Sequence, residues 1–465
     1  MDVVAFARRN RYPLYLLILS LSVYTFFSLH NGPRIASYYT GDEPHYVILM
    51  KSLLEGHLYV EGVYRNPRPE WATWPYAWHA VKGPDGHYYS THGIGLPLLA
   101  SPFYVLGGSL GLILFIPVIA SLVNLSQYFL CRRITGEDYV SFFTALVMGF
   151  ATLLCPYSNQ FFPELVMALL LLISLNLILK YGLTSGVQLA VGLLLGYGLI
   201  VKAAYAALIM GFGLGLFIIC LRRKCLNFGL FIAGTAVWAI ALGLYNVTAF
   251  GSAFAYPLAS GKSAFTEILS SNPIFAATGL IFDRYRGLLP FSPVLLFSVF
   301  GLRPLLKDRA DIFVLAAGAL LGQYVGASVF GIWWAGLSLP ARYLISVLPL
   351  FSLPLSLALR DNIHKLWFKA GTYYTIFVGL CLNLTLSWFR AVGYGVNAPK
   401  AELLAMTYFG LDYVFPVVLT SQDHLTISLN QLLTWLCGLL VLVLLGIFVP
   451  RSIRRASIHS DGCEY

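Results

Sequence analysis

The sequence predicts an all-α polytopic membrane protein with about 12 transmembrane helices, within a range of 11–13. Of the 465 residues, 58% are hydrophobic and only 11% are charged, whereas a soluble domain carries roughly 25% charged residues. Long apolar blocks recur from one end of the chain to the other. Such blocks are typical of helical spans, because the strands of a membrane β-barrel alternate over segments of about ten residues.

Apolar runs of about 17–25 residues mark the candidate spans. They lie at 13–30, 109–131, 139–156, 161–179, 187–204, 205–221, 226–249, 288–304, 312–330, 343–359, 370–388 and 431–449. The apolar piece 93–107 is short and interrupted by Gly and Pro, so we expect a helix that lies at the membrane surface or dips into it. We therefore expect one transmembrane domain over 1–465, a first loop over 31–108 with surface helices, and no soluble C-terminal domain.

The distribution of charge predicts the orientation. The chain has 30 Lys and Arg against 20 Asp and Glu, a net charge of +10. If the N-terminus is cytoplasmic, the basic excess falls in the cytoplasmic segments, as the positive-inside rule requires. Both termini are then cytoplasmic, and the long polar loops are extracytoplasmic. We expect the bacterial inner (plasma) membrane as the location, and the positive charge does not indicate a nucleic-acid partner.

The first loop contains the stretch GDEPHY, with Asp42, Glu43 and His45 in four positions. The residues after it predict a short amphipathic helix. A carboxylate beside a low-dielectric slab can have a raised pKa and act as a base. Asp42 could equally cap the helix, with Pro44 in its first turn. These two interpretations are compatible.

Other candidates lie next to apolar spans. Glu164 begins a span, where it is either a functional ionisable group or a charge favoured by the helix dipole. Lys202 lies near the outer end of a span in apolar sequence, which is costly unless it snorkels or meets an anion such as a lipid phosphate. His87 and His92 are five residues apart in a Gly-rich loop, which makes them weak candidates for metal ligands.

Arginines and tryptophans form the last group of candidates. Arg284 and Arg286 lie in FDRYRG, and Arg342 follows two tryptophans that include Trp334. A planar guanidinium binds phosphate bidentately, although each arginine could also be an interfacial anchor beside the aromatic belt. Carboxylates, cations and aromatic rings on one face of a membrane protein together indicate a ligand that carries phosphate and sugar.

Three functions are open at this point. A membrane transferase with a lipid-phosphate donor would place its base in the first loop. A transporter or flippase of a lipid-linked sugar or another envelope precursor would have broken helices and polar residues near mid-membrane, often in repeated halves. No convincing repeat relates 1–230 to 231–465. A non-catalytic scaffold would leave the charged residues without a role, so the transferase is favoured.

Several motifs resemble those of GT-C fold glycosyltransferases, which include protein O-mannosyltransferases and the aminoarabinose transferase of lipid A. The stretch GDEPHYVILMKSLLEGHLYV resembles their Asp-Glu signature, and HYYSTHGIGLPLLASPFYVLGG resembles the end of their first outer loop. NQFFPELVMALLL resembles their second outer motif. FDRYRGLLPFSPVLLF and WWAGLSLPARYLISVLPL resemble recurring blocks of uncharacterised bacterial members.

The resemblance covers most of 1–360 and implies a single GT-C type transmembrane domain. It implies an inverting transfer of a hexosyl or pentosyl group from a polyprenyl-phosphate sugar to an acceptor hydroxyl. In this reading Asp42 is the general base, Glu43 assists it or positions the acceptor, and Glu164 is the acidic residue of the second motif. The substrate-binding candidates are His45, His92, Lys202, Arg284, Arg286, Trp334 and Arg342.

The expected partners are a polyprenyl-phosphate-linked sugar donor, a glycan, lipid or protein acceptor, and membrane lipids. The oligosaccharyltransferase branch of the resembled family has a second close acidic pair that holds a divalent metal, and the chain has no such pair. We therefore expect no cofactor and favour metal-independent chemistry, with dependence on a divalent metal as the open alternative. The seven cysteines have no ligand-like spacing, so we interpret them as small apolar residues.

Overall fold

A computed structural model of the chain describes residues 11–35, 41–65, 78–224, 227–255, 272–336 and 338–389. The first helices and strands are α1 (Arg11–Ile35), α2 (Glu43–Leu54), α3 (Glu61–Arg65), β1 (Ala80–Lys82), β2 (Tyr88–Ser90), α4 (Gly95–Thr135) and α5 (Asp138–Phe150). The following helices are α6 (Leu154–Tyr157), α7 (Glu164–Tyr181), α8 (Ser185–Val201), α9 (Ala206–Arg223), α10 (Phe228–Phe250) and α11 (Pro273–Phe282). The last are α12 (Leu288–Phe291), α13 (Val299–Asp308), α14 (Ala310–Ser328), α15 (Ser352–Asn362) and α16 (Leu366–Phe389).

Six helical segments of the described chain are long and apolar enough to cross a membrane. They are Arg11–Asn31, Gly95–Thr135, Glu164–Tyr181, Ala203–Arg223, Phe228–Phe250 and Ala310–Ser328. The predicted class, an all-α membrane protein, is confirmed. The number of twelve spans stays a prediction, and the span expected at 431–449 lies outside the described residues.

Three of the expected spans, 139–156, 288–304 and 343–359, are not continuous α-helices. The first is interrupted between Phe150 and Leu154. The second is divided by the 3₁₀ turn Pro293–Ser298, and the third contains the 3₁₀ turns Arg342–Leu344 and Leu348–Phe351. Proline explains part of the breaks in 288–304 and 343–359, because it lacks the N–H that an α-helix needs and clashes with the preceding turn.

Helix α4 bends sharply at Gly108, whose φ of 56° and ψ of −140° lie outside the helical region. The bend turns the piece before it back onto the helix that follows. The rings of Phe103 and Phe115 lie 5.1 Å apart, and a Cβ on Gly111 would come within 1.9 Å of the Phe103 carbonyl oxygen. As the sequence predicts, the residues before Gly108 are therefore not part of the straight span.

Helices α9 and α14 pack closely through small residues. A Cβ on Gly211 would lie 2.1 Å from the carbonyl oxygen of Gly318, and one on Gly318 would lie 2.3 Å from that of Gly211. Small residues let membrane helices approach closely, where van der Waals packing replaces the hydrophobic effect. This contact fixes the helix that follows Lys202 within the bundle.

The first loop is more deeply buried than the sequence predicts. Helix α2 forms as expected, but all residues from Glu43 to Ser52 are buried. The amphipathic pattern of α2 therefore does not mark an exposed side, because other parts of the protein cover its polar side as well. Strands β1 and β2 then form an antiparallel hairpin in which Ala80 pairs with Ser90.

Candidate active site

Four charged side chains from separated parts of the chain meet in one ion network. Arg342 donates from Nη1 to Asp42 Oδ2 over 2.7 Å and from Nε to Glu164 Oε1 over 2.9 Å. Lys202 donates from Nζ to the same Glu164 oxygen over 3.3 Å. We call these four residues the ion network; it consists of two carboxylates and two cations, so its formal charges balance.

Each member of the ion network lies where a regular element begins or ends. Asp42 immediately precedes α2, Glu164 is the first residue of α7, and Lys202 follows the last residue of α8. Arg342 begins a 3₁₀ turn directly after Ala341, whose φ is 49°. That left-handed conformation is uncommon for a residue other than glycine, and it lies next to the arginine that joins both carboxylates.

The ion network is largely shielded from solvent. The side chains of Arg342 and Glu164 are 4% and 1% exposed, and those of Lys202 and Asp42 are 17% and 25% exposed. Within the described residues, Arg342 Nη2 and Glu164 Oε2 are buried and have no hydrogen-bond partner. An unpaired buried polar atom is costly, so Arg342 retains a donor that a ligand oxygen would satisfy.

Aromatic rings lie against both cations. The Arg342 guanidinium carbon is 3.9 Å from the centroid of the Phe162 ring, and Lys202 Nζ is 4.8 Å from that of Tyr343. A cation over an aromatic face is attracted by the ring quadrupole. The rings therefore hold the two cations in place without neutralising their charge.

Two expectations for Asp42 are wrong. It occupies the N-cap position of α2 with Pro44 in the first turn, but its side chain makes no capping hydrogen bond, because it is directed to Arg342. Its pKa is not raised either. Burial raises the pKa of Asp42. The positive charges around it, above all that of Arg342, lower the pKa by more than burial raises it, so the pKa lies well below its usual value.

Three histidines lie beside Asp42. His79 Nδ1 and His92 Nε2 are 3.6 and 4.0 Å from Asp42 Oδ1, and 3.1 Å from each other. His45 stacks on His79 with centroids 3.7 Å apart, and its Nδ1 is 2.5 Å from the Tyr64 hydroxyl. Burial lowers the pKa of His92 to about 4 and that of His45 to about 2, so both imidazoles are neutral at physiological pH.

His79 was not among the candidates from the sequence. The hairpin explains its position, because Thr91 N donates to His79 O over 3.0 Å and so brings His79 next to His92. The turn Gly83–Gly86, of sequence GPDG, is a signal that predicts such a hairpin. A hairpin with this turn places His79 and His92 next to each other.

Glu43 fixes the position of Asp42. It is fully buried, and its Oε1 accepts a hydrogen bond from the amide of Phe161 over 2.6 Å. Phe161 precedes Glu164 by three residues. The contact therefore connects the start of α2 to the start of α7, and so links the two carboxylates of the ion network.

Arg286 supports the segment that leads to Arg342. Its Nη1 donates to Ser338 O over 2.6 Å, and its carbonyl oxygen accepts from Ala341 N over 2.9 Å. Its own amide donates to Asp283 Oδ1 over 2.7 Å. These contacts join the turn before α12 to the residue immediately before Arg342.

The two remaining candidates, Arg284 and Trp334, are partly exposed. The Arg284 guanidinium lies 6.0 Å from the ring of Tyr285, and Trp334 meets Trp333 edge to face with centroids 6.0 Å apart. Their roles in substrate binding stay predictions.

A cavity of about 80 Å³ lies next to the ion network. Lys202, His92 and Asn246 contribute polar groups to its wall, together with Ser90 and Thr91. The end of the hairpin reaches this wall because Gly93 has no side chain: a Cβ there would lie 2.4 Å from the Ile200 and Val201 carbonyl oxygens. The cavity thus gives a ligand access to one cation of the network.

Comparison with solved structures finds similar chains among membrane glycosyltransferases. The crystal structure of the Archaeoglobus fulgidus oligosaccharyltransferase tethered with an acceptor peptide matches with a TM-score of 0.47 and 13% identity, over 87% of this chain and 55% of that one. ArnT from Cupriavidus metallidurans bound to undecaprenyl phosphate matches with a TM-score of 0.48 and 12% identity, over 95% and 76%. The archaeal oligosaccharyltransferase AglB with an inhibitory peptide and a dolichol-phosphate matches with 0.46 and 12%, over 90% and 62%.

These neighbours are GT-C enzymes, the fold that the sequence resembles. The chain spans 55% of the length of the first oligosaccharyltransferase. At 12–13% identity and TM-scores below 0.5, the likeness carries no information on substrate, mechanism or the role of any residue. No protein-family model and no curated protein matches the sequence.

Proposed function

We propose that the protein is an integral-membrane glycosyltransferase that moves a sugar from a polyprenyl-phosphate donor to an acceptor hydroxyl. The observation that carries this proposal is the buried ion network of Asp42, Glu164, Lys202 and Arg342 beside a cavity. Such a transfer needs a base for the hydroxyl and positive charge for the departing phosphate. Arg342 and Lys202 supply the positive charge, and Asp42 supplies an ionised carboxylate that can accept the proton, because its lowered pKa keeps it deprotonated.

Arg342 and Lys202 bind the donor phosphate. Arg342 Nη2 has no hydrogen-bond partner among the residues that the structure describes, and Lys202 lines the cavity. When the bond between the sugar and the phosphate breaks, the phosphate gains negative charge, which the two cations stabilise. Glu164 is a positioning residue in this scheme, because one of its oxygens holds both cations.

Asp42 acts on the acceptor through Oδ1. Its Oδ2 is bound to Arg342, which orients the carboxylate and leaves Oδ1 on the side of the histidines. Oδ1 accepts the proton of the acceptor hydroxyl while the hydroxyl oxygen attacks the anomeric carbon opposite the phosphate. The bond from carbon to phosphate oxygen breaks, and the configuration inverts. Glu43 positions Asp42 through its bond to Phe161.

The proposal includes the setting of the reaction. The ion network faces the extracytoplasmic side of a bacterial inner membrane, with both termini in the cytoplasm. The transferred group is a hexosyl or pentosyl unit, the acceptor is a glycan, lipid or protein hydroxyl, and the transfer requires no cofactor. The orientation is supported by the basic residues at the opposite helix ends, among them Arg132, Arg133, Lys180 and Arg223.

One observation favours a second function, a transporter or flippase of a lipid-linked sugar or another envelope precursor. The segments 288–308 and 342–362 are broken helices, a feature of transporters. The two functions differ in the fate of the sugar. A transferase separates it from the lipid phosphate, whereas a flippase moves the intact lipid.

Complementation of a deletion strain with Asp42→Asn tests the base. Mass spectrometry would compare lipid-linked sugars and envelope glycans in the deletion strain with those after complementation. We expect Asp42→Asn to insert into the membrane but to reduce transfer at least about 100-fold, the usual contribution of a general base. The strain would then accumulate one polyprenyl-phosphate sugar and lack one glycan modification.

The matched control is Asp85→Asn, the same substitution in the same loop, where Asp85 bonds to the Tyr89 hydroxyl in the hairpin. We expect it to restore the modification. Full complementation by Asp42→Asn would show that the base assignment is wrong. Transmembrane movement of intact lipid-linked sugar by purified protein in liposomes, without release of polyprenyl phosphate, would favour the flippase.

A further inference from the structure

Three potential metal ligands converge on one point in the first loop. The ligand atoms of Asp42, His79 and His92 all lie within 4.8 Å of one another. Their separations of 3.1, 3.6 and 4.0 Å define a triangle. The point in its plane that is equidistant from the three atoms lies about 2.1 Å from each, which is the bond length of Zn²⁺ to imidazole nitrogen and carboxylate oxygen. A cation at this point would be at bonding distance from all three ligand atoms.

The donor types indicate which cation the cluster suits. Two imidazole nitrogens and one carboxylate oxygen favour Zn²⁺, Co²⁺ and related transition metals over Mg²⁺ and Ca²⁺, which prefer oxygen ligands. Three protein ligands also leave a fourth position for water or another ligand. This donor set contains a single carboxylate, so it differs from a close acidic pair.

The ligand positions are fixed by their surroundings. The hairpin holds the backbone of His79 through Thr91 N, and the His79 ring stacks on His45. His45 is in turn held by the hydroxyl of Tyr64. Outer contacts of this kind orient metal ligands and raise their affinity. The cluster is therefore arranged before any cation binds.

Charge and access also permit binding. The side chains of Asp42 and His79 are 25% and 27% exposed, and that of His92 is 12% exposed, so a hydrated ion has a route to the cluster. Arg342 bonds to Asp42 Oδ2, whereas the cluster uses Oδ1. The positive charges of the ion network are balanced by its two carboxylates.

We propose that Asp42 Oδ1, His79 Nδ1 and His92 Nε2 form a binding site for a divalent transition-metal cation of the Zn²⁺ class. A bound cation occupies the oxygen that we assign to the acceptor proton, so Zn²⁺ blocks transfer. The inhibition of transfer by Zn²⁺ rests on the proposed function, whereas the binding of the cation does not. The site is thus inhibitory, and the transfer itself remains independent of metal.

Titration with Co²⁺ tests the site directly. The full-length protein would be purified in detergent with an affinity tag that contains no histidine, and then freed of metal with a chelator. We expect the wild type to bind one Co²⁺ per chain, with visible absorption bands of a four-coordinate ion, and we expect Mg²⁺ in excess not to displace it. His79→Gln and His92→Gln should each lose this binding.

The matched control is His87→Gln, in the same hairpin. The His87 side chain is 46% exposed and pairs with Glu61, so its replacement should leave Co²⁺ binding unchanged. Thermal unfolding of each metal-free variant would verify that the variant is folded. If a variant is not folded, the number of Co²⁺ ions bound per wild-type chain still decides whether the site exists. No stoichiometric Co²⁺ in the wild type overturns the proposal. Full binding by both His79→Gln and His92→Gln overturns it as well.

The effect on transfer separates the two proposals. We expect Zn²⁺ to inhibit the wild type and His87→Gln, and His79→Gln to resist inhibition. If Co²⁺ and Zn²⁺ bind at the site but transfer continues, the cation site stands and the assignment of Asp42 Oδ1 as the base is overturned. If transfer is never detected but binding is, only the proposed function fails.

Discussion

Two ends of the helix bundle contain ion pairs of the same chemistry in different surroundings. At the end that holds Asp42, the paired side chains of Arg342 and Glu164 are 4% and 1% exposed. At the other end, Arg223 pairs with Asp311, and their side chains are 59% and 34% exposed. Helix α7 begins at the first end and finishes near the second, about 27 Å away at 1.5 Å per residue for its 18 residues.

The difference in burial changes what the two pairs do. An exposed pair contributes about 0–1 kcal/mol to stability, because water and salt screen it. A buried pair is expensive to form, and removal of one partner costs about 3–5 kcal/mol, because a charge is left buried without compensation. The exposed pair of Arg223 and Asp311 therefore needs no explanation beyond its position at the surface. The buried ion network has a cost in stability that a ligand-binding function would explain.

Arg342→Ala should have the largest effect, because it leaves both carboxylates of the ion network without this partner. We expect a loss of about 3–5 kcal/mol in the free energy of unfolding, measured by denaturant titration in detergent. In the fraction that remains folded, the KM for the lipid donor should rise more than the KM for the acceptor. An unchanged donor KM would contradict the phosphate-binding role of Arg342.

Glu164→Gln should have the next largest effect. The amide keeps the volume and one acceptor oxygen but removes the charge that holds Arg342 and Lys202. We expect a loss of about 1–3 kcal/mol in stability and a lower kcat/KM for the donor. A double-mutant cycle with Lys202→Met measures the coupling, which should reach about 0.5–3 kcal/mol. Strictly additive effects would mean that Glu164 does not position Lys202.

Tyr64→Phe tests whether the contacts behind His79 hold the proposed cation site in place. It removes only the hydroxyl that bonds to His45 Nδ1, at a cost of about 1 kcal/mol. Because His45 orients His79, we also expect the affinity for Co²⁺ to fall by about 10–100-fold. The readouts are thermal unfolding and the Co²⁺ titration. Unchanged affinity would mean that the hydroxyl plays no part in holding the cluster.

Some members of the ion network can be recognised in the sequence as functional candidates, because a charge is costly in their local surroundings. Glu164 and Lys202 lie beside apolar runs, so they stand out without any knowledge of the fold. Arg342 is also a candidate from the sequence, but its contact with Asp42 is not foreseeable, because the two residues are 300 positions apart. A sequence pattern for a helix cap looks the same whether or not the side chain is directed elsewhere. The lowered pKa of Asp42 depends on that distant contact, whereas the local sequence predicts a raised pKa.

The class of fold follows from the apolar runs, since only helices can satisfy their backbone in lipid. The sequence does not predict the breaks in 288–308 and 342–362, because the hydropathy of an apolar run changes little when it contains a proline. The burial of α2 was not predictable either. One side of α2 is polar in sequence and the other is apolar. The polar side is nevertheless covered, because the backbone amide of Phe161 lies against it and donates a hydrogen bond to the Glu43 carboxylate.

Arg223→Ala, at the opposite end of the bundle, should have the smallest effect and completes the comparison. It breaks the pair with Asp311, which is exposed, so we expect a loss of less than about 1 kcal/mol in the free energy of unfolding and unchanged transfer. The small loss should shrink further as salt is added, because exposed charges are screened, whereas the loss from Arg342→Ala should persist. If Arg223→Ala cost as much as Arg342→Ala, burial would not be the property that distinguishes the two ends, and the buried ion network would not indicate a ligand site.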